Sequence, residues 1–280
     1  GATSGIGLAC AEMLTAEGAR VIGVGRSAER CRAAEQRLRA LHTDADPVYF
    51  VADLSLQSEV RGLAERVREA LPGLDGLVNN AGTFTFWLEL TREGFETQWA
   101  VNHLAPFLLT YELLPLLETA PAGRVATVSS DSHYGARITC DDPQLRRHYN
   151  GLGVYGRTKL ANVLFTLELR RRLGPGSRVR AFAADPGLVK TEIGFKGTPP
   201  LVRWIWGRRR AGGISAEESA RGIVYLLTEP SLQDAPELYW RHGRPRPASP
   251  AGRDVESAAR LWALSERMCG ILAAEVSHAR

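Results

Sequence analysis

The sequence predicts an α/β protein built on a doubly wound parallel sheet. Three observations predict it. Short β-rich runs ending in Gly, Asp, Asn or Ser recur as far as Asp185, and such runs suit strands buried on both faces. Amphipathic stretches of helical length separate them, which is the alternation of βαβ units. A glycine-rich stretch, Gly1-Ala-Thr-Ser-Gly5-Ile-Gly7, stands at the mouth of the first helical stretch.

The elements follow in order. Residues 6–17 read as a helix, and the glycines ahead of it permit left-handed angles and close approach of a phosphate. A helix amino terminus adds unpaired N–H groups and a favourable dipole. Strands are expected at 21–24 (VIGV), 48–52 (VYFVA), 74–79 (LDGLVN), 124–128 (RVATV) and 179–184 (VRAFAA). Helices are expected at 28–41, 55–70, 93–117 and 154–173. Gly1 already belongs to a loop, so the strand that feeds it is expected upstream and the sequence is expected to be truncated there. A parallel sheet would set that strand at its centre, between 21–24 and 124–128 or its neighbour.

After residue 190 the pattern changes. Residues 194–213 (GFKGTPPLVRWIWGRRRAGG) form a long excursion rich in Gly, Pro, Trp and Arg. Phe195, Leu201, Val202, Trp204, Ile205 and Trp206 are too apolar to stay in water together. A substrate lid is expected here; contact with a membrane surface is the alternative, since Trp beside Arg is an interfacial pattern. Residues 216–227 return to helix, 241–252 read as an exposed loop, and 254–272 as a final amphipathic helix. Leu261, Trp262, Leu264 and Met268 are the candidates for its buried stripe. One domain is expected over 1–280, with 241–280 as a carboxy-terminal loop and helix.

Composition narrows the function classes. Hydrophobic residues make up 44% and charged residues 24% of the 280, a globular balance that excludes a disordered or collagen-like chain. The charge is mild, 35 basic against 31 acidic residues. Its one dense run is Arg208, Arg209 and Arg210, whereas a nucleic-acid binder would concentrate its charge. The apolar runs fall short of a membrane span. Cys10, Cys31, Cys140 and Cys269 include no C-x-x-C pair and no zinc spacing, so no metal is expected. They read as buried or incidental thiols of a reducing compartment. A cytoplasmic location is expected, with membrane association as the alternative.

Chemistry enters with Tyr155 and Lys159. They stand at i and i+4, on one helix face. A phenol with a pKa of ~10 is a poor base at neutral pH; a neighbouring ammonium favours the phenolate and should lower it. Tyr155 could then take a proton from an alcohol or return it to a carbonyl oxygen. Ser130 ends a strand and could hydrogen-bond the same oxygen. Taken singly, Tyr155 reads as a half-buried helix tyrosine and Ser130 as a turn residue. Their joint occurrence with the glycine loop reverses that weighing.

Five motifs in order resemble the short-chain dehydrogenases/reductases. They are Gly1-x-x-x-Gly5-x-Gly7, Asn79-Asn80-Ala81-Gly82, Asn102 in Val101-Asn102-His103, Ser130 with Tyr155-x-x-x-Lys159, and Pro186-Gly187. The long gap from Ser130 to Tyr155, the stretch 159–166 (KLANVLFT) and Leu261-Trp262 look like the retinol-dehydrogenase-like branch. The resemblance implies a Rossmann-like fold and a nicotinamide cofactor. It gives Tyr155 the acid/base role, Lys159 the nicotinamide ribose, Ser130 the substrate oxygen, and Asn102 a water in the proton relay. It implies cofactor contacts at Gly1, Thr3, Ser4, Gly5, Ile6, Gly7, Asp53, Leu54, Asn80, Ala81, Gly82, Pro186, Gly187, Val189 and Thr191. It also implies a homodimer. His103 reads as a structural histidine.

Cofactor choice is expected at the end of the strand at 21–24. Gly25 stands where NAD-preferring relatives tend to carry Asp, and an acidic residue there would repel a 2′-phosphate. Arg26 offers a fork suited to phosphate, and Arg30 could assist; a plain surface arginine is the alternative. Asp53 could instead cap a helix, a role Ser55 could also fill. The chain thus reads as an NADP-dependent oxidoreductase acting on a hydrophobic alcohol or carbonyl compound, with NAD second. A non-catalytic NADP-binding sensor or scaffold is the other class, and the intact Ser–Tyr–Lys set argues against it.

Overall fold

A computed structural model of the chain describes residues 1–189 and 212–271. The helices are α1 (Gly5–Ala16), α2 (Ala28–Leu41), α3 (Gln57–Ala70), α4 (Thr97–Thr119), α5 (Gly151–Leu173), α6 (Ala216–Thr228) and α7 (Val255–Met268). The strands are β1 (Ile22–Gly25), β2 (Val48–Val51), β3 (Gly76–Asn79), β4 (Arg124–Val128), β5 (Arg180–Asp185), β6 (Tyr239–Arg241) and β7 (Arg244–Arg246). β1 pairs with β2 in parallel, and β3-β4-β5-β6 form a parallel sheet that β7 closes antiparallel. β1 and β3 carry no strand pairing to each other among the described residues.

Two hydrophobic layers cover the sheet faces. On one, Trp99, Phe107 and Leu108 of α4 meet Leu160, Leu164 and Phe165 of α5 and Trp262 of α7. Phe165 and Trp262 stack with centroids 5.8 Å apart. On the other, Ile6 and Cys10 of α1 pack with Phe182 of β5 and Ile223 of α6. Each fully buried large side chain contributes about 1.5–3 kcal/mol. Among the described residues, α4 is the one helix long and apolar enough to cross a membrane, and it is mostly buried in this core.

Element ends depart from the sequence pattern where long-range contacts intervene. α3 begins at Gln57, not Ser55, and neither Ser55 nor Asp53 caps it. Its first N–H groups, Gln57 and Ser58, donate to the Glu93 carboxylate at 2.7 and 3.2 Å. α5 begins three residues early, because Asn150 Oδ1 accepts from the Leu152 and Gly153 N–H groups. Residues 241–252 are not a plain exposed loop. Arg241 pairs with Arg244 across a hairpin, and its two turn residues, His242 and Gly243, have φ of 50° and 69°, the geometry of a two-residue hairpin turn. Ala248, Ser249 and Gly252 beyond it are buried. In α7, Leu261 and Trp262 are buried and Leu264 and Met268 half-buried. The excursion at 194–213, apart from Gly212 and Gly213, lies outside the described residues, as do Thr191 and Leu272.

His103 is a core residue, as the sequence suggests. It packs between Trp99 and Phe107, and Ser265 Oγ lies 2.8 Å from its Nε2. Burial brings its pKa down to about 4. The folded value lies below the unfolded value of ~6.5, so this histidine contributes stability above pH 6.5. That contribution is lost as pH falls from there through about 4, and it amounts to about 3 kcal/mol. Thermal melts at pH 7 and pH 4.5 should show a smaller drop for His103→Gln than for wild type. Equal drops would mean that His103 does not set the acid limb.

Candidate active site

The glycine loop is held by backbone contacts that leave no room for side chains. The Ala2 N–H donates to the Val24 carbonyl at 2.9 Å, and the Tyr49 hydroxyl donates to the Ala2 carbonyl at 2.9 Å. Asn80 Nδ2 donates to the Gly1 carbonyl at 2.9 Å, tying the glycine loop to the Asn79–Gly82 turn. A Cβ on Gly1 would lie 2.8 Å from Ala81 Cα, and one on Gly7 would lie 1.9 Å from the Gly1 oxygen. Gly5 has φ of 55°, a left-handed angle that glycine adopts freely. Ser4 precedes α1 without a side-chain cap bond. The N–H groups of Gly5 and Ile6 therefore stay available to an anion. Thr3, Ser4, Gly5, Ile6 and Gly7 thus lie together at one helix mouth.

A second set gathers at the carboxyl ends of β3 and β4. Asn79 Nδ2 donates to Thr110 and Thr127 hydroxyls at 2.9 and 3.2 Å and locks β3 to α4 and β4. Asn102 is fully buried in a π-helical turn, Ala100–Leu104, that interrupts α4. Pro106 has no N–H to bond the Asn102 carbonyl four residues back, which loosens the ladder at this place. The Asn102 side chain accepts from the Thr83 N–H at 2.7 Å and donates to the Thr83 carbonyl at 2.9 Å. Its Nδ2 also lies 3.2 Å from the Thr158 hydroxyl. A Cβ on Gly82 would stand 3.6 Å from Asn102 Oδ1 and 3.9 Å from Lys159 Nζ, so these three groups converge.

α5 presents Tyr155 and Lys159 to the same place. Lys159 is buried, and its Nζ donates to the Val128 carbonyl at 3.1 Å while the Lys159 carbonyl accepts from Ser129 at 2.8 Å. Lys159 Nζ stands 5.4 Å from the Tyr155 ring centroid. The sequence argument expects this ammonium to lower the Tyr155 pKa. Burial has the opposite effect and wins: it pushes the phenol up to about 12, and the Asp185 carboxylate pushes the same way. Burial likewise brings Lys159 down to about 8, against Asp185, which raises it. Both shifts disfavour the charged forms in a poorly solvated site. Burial and Asp185 thus both favour the neutral phenol at Tyr155.

Ser130 follows β4 in extended conformation and starts the turn Asp131–His133, its Oγ accepting from the Ser132 N–H at 3.2 Å. Arg26 and Arg30 are exposed beyond β1 and at the start of α2, and neither has an ion pair among the described residues. A Cβ on Gly25 would lie 2.5 Å from Thr3 Cγ2 and 2.9 Å from Cys31 Sγ. Asp53 Oδ1 accepts from the Ser55 N–H at 3.0 Å, and Leu54 packs into the core beside it. Past β5, Gly187 has φ of 74° and the Pro186 carbonyl accepts from Ser219 at 2.8 Å. Val189 bridges to Ile214.

Sequence reasoning did not single out Asp185, Tyr239 or Arg241. Asp185 is buried at the end of β5, with Oδ2 accepting from the Tyr239 hydroxyl at 2.9 Å. A carboxylate closing the apolar run Ala181-Phe-Ala-Ala184 is the one local signal it offers.

The arrangement sets an anion-ready helix mouth near a half-buried phenol, a buried amine and a hydroxyl. The family model for short chain dehydrogenase matches residues 1–198. Mouse retinol dehydrogenase 14 is 35% identical over 97% of this chain and 85% of its own length. A crystal structure of an uncharacterized protein from Mycobacterium paratuberculosis is 35% identical, covering 96% of this chain and 91% of the other, with a TM-score of 0.75. An alcohol dehydrogenase from the archaeon Thermococcus sibiricus, complexed with 5-hydroxy-NADP, is 25% identical over 89% of this chain and 96% of its own, with a TM-score of 0.65.

Proposed function

The chain belongs to the short-chain dehydrogenase/reductase family, in its retinol-dehydrogenase-like branch, and from that premise we propose an NADP-dependent oxidoreductase for hydrophobic alcohols and carbonyl compounds. Oxidoreduction at a CH–OH carbon follows from the family; the cofactor preference, the site residues and the substrate class are the proposal. The observation that carries it is the convergence of Gly82, Asn102 and Lys159 beside Tyr155.

The residues fit a dinucleotide. The uncapped mouth of α1 suits a pyrophosphate, and the Cβ-free surfaces of Gly1 and Gly7 let the loop close on Asn80 and Ala81. Asp53 and Leu54 suit the adenine end, and Asn80 to Gly82 with Pro186, Gly187 and Val189 the nicotinamide end; Thr191, which the resemblance adds there, lies outside the described residues. When bound, the cofactor supplies the hydride chemistry. Lys159 would hold its ribose. Ser130 would orient the substrate oxygen, Tyr155 would pass a proton to it, and Asn102 would hold the relay behind Lys159. A phenol raised to about 12 favours the donor role, which is carbonyl reduction. A sensor or scaffold would need no such proton donor. Pairing with a second copy is a proposal of the family resemblance, and membrane contact one of the Trp- and Arg-rich stretch at 194–213.

Gly25 supports NADP over NAD. An Asp there would need a Cβ 2.5 Å from Thr3, so the ribose-binding carboxylate of NAD-preferring relatives has no place. Arg26, next in the chain, stays exposed for a 2′-phosphate. Arg26→Asp should weaken NADPH by about 10-fold or more, the worth of a charged hydrogen bond, and NADH much less. Fluorescence titration of both cofactors reads this directly. Equal weakening would make Arg26 a structural residue and remove the NADP preference from the proposal.

A further inference from the structure

Two carboxylates meet at the ends of neighbouring strands. Asp131 follows Ser130 directly, after β4, and Asp185 ends β5, just before Pro186-Gly187. Asp185 is buried, Asp131 half-exposed. Like charges on neighbouring strand ends repel, and burial together with Asp131 pushes the Asp185 carboxyl up to about 6. One cation answers both. Arg241 stands opposite Asp185 in the register of β5 and β6; its Nη1 pairs with Asp131 Oδ2, and its Nε lies 3.8 Å from Asp185 Oδ2.

Asp131 belongs to the turn that Ser130 starts, and the Asp185 carboxylate is fastened to the turn after β5. Asp185 Oδ1 accepts from the Gly187 N–H at 2.9 Å, which shapes the turn after β5. The β6–β7 turn packs against the same place, since a Cβ on Gly187 would lie 2.5 Å from the His242 ring. Lys159 and Tyr155 face Asp185 from α5, Tyr134 from the turn after β4, and Tyr239 from β6.

We propose that Arg241 is a positioning residue: by holding Asp131 and Asp185 together, it fixes the loop of Ser130 and the Pro186–Gly187 turn around the reacting groups. The inference rests on the oxidoreductase reading above and adds to it a residue outside the family motifs. The device works by cancelling repulsion. Removing Arg241 leaves two carboxylates that push the loops apart, and removing one carboxylate as well relieves the push.

The test is a double-mutant cycle on the full chain. Arg241→Gln should lower kcat for aldehyde reduction on the order of 10-fold, weaken NADPH binding, and speed hydrogen exchange in segments 129–134 and 185–189. Arg241→Lys should keep most of each property. Arg241→Gln combined with Asp131→Asn should recover kcat, NADPH affinity and exchange protection to within about threefold of wild type, the coupling expected of groups in one network. Recovery would establish charge cancellation. A double variant as impaired as Arg241→Gln would overturn the proposal, because a guanidinium needed only for packing gains nothing from loss of Asp131. Unchanged exchange and NADPH affinity in Arg241→Gln would overturn it as well. The exchange and titration readings do not need turnover. A wild-type protein that binds NADPH but reduces no aldehyde would therefore count against the oxidoreductase reading, while the cycle still decides the role of Arg241.

Discussion

Tyr155→Phe should lose 10²- to 10⁴-fold in turnover, the usual worth of a general acid, with NADPH binding and melting temperature close to wild type. The side chain keeps its ring, so the edge contact with Phe84, at 6.1 Å between centroids, survives. Only the hydroxyl that donates the proton is removed. The raised phenol pKa sharpens the expectation. A group protonated across the working range has no alternative ionised form through which to act. NADPH-dependent reduction of an aldehyde panel by purified protein measures the loss. Turnover within a factor of two of wild type would remove Tyr155 from the chemistry and point to a proton donor elsewhere.

Gly7→Ala should cost NADPH affinity on the order of 10- to 100-fold. The new methyl would stand 1.9 Å from the Gly1 oxygen and 2.5 Å from Asn80 Nδ2. The Gly1 oxygen is backbone, and Asn80 Nδ2 is held in place by its bond to that oxygen. The Gly1 carbonyl accepts the bond from Asn80 that joins the glycine loop to the Asn79–Gly82 turn. Relief requires that bond to break or the loop to shift, a strain of about 1–3 kcal/mol. Gly62 has nothing within 4 Å of its Cβ direction, so Gly62→Ala serves as the neutral control. NADPH fluorescence titration with a melt on the same sample separates lost binding from lost folding. An affinity unchanged by Gly7→Ala would show that the loop is not packed as tightly as these distances state.

Much of the fold could be read along the chain because its signals are local. A strand buried on both faces needs an apolar run and a helix needs its periodicity, and both lie within one segment. The strands β1 to β5 accordingly lie within two residues of their expected ends. The glycine loop, Asn79–Gly82 and the Tyr155–Lys159 spacing were legible for the same reason, each being a short motif. Contacts between Asn80 and Gly1, or Asn102 and Thr83, follow once those motifs share a sheet end.

Other features exist only after folding. Glu93 caps α3 from a separate segment, so no capping pattern marks that helix start. The β6–β7 hairpin has three-residue strands, too short to carry a period, and Arg-Pro-Arg reads as loop. Most telling is Tyr155. Lys159, four residues on, predicts a lowered pKa, but burial in the folded chain and Asp185, brought near from the end of β5, push it up instead. Arg241 meets Asp131 across 110 residues of sequence. Local spacing determined which groups this protein carries and in what order along the chain. Solvent exclusion and strand register, which depend on distant segments, decided how those groups ionise and which charges face one another.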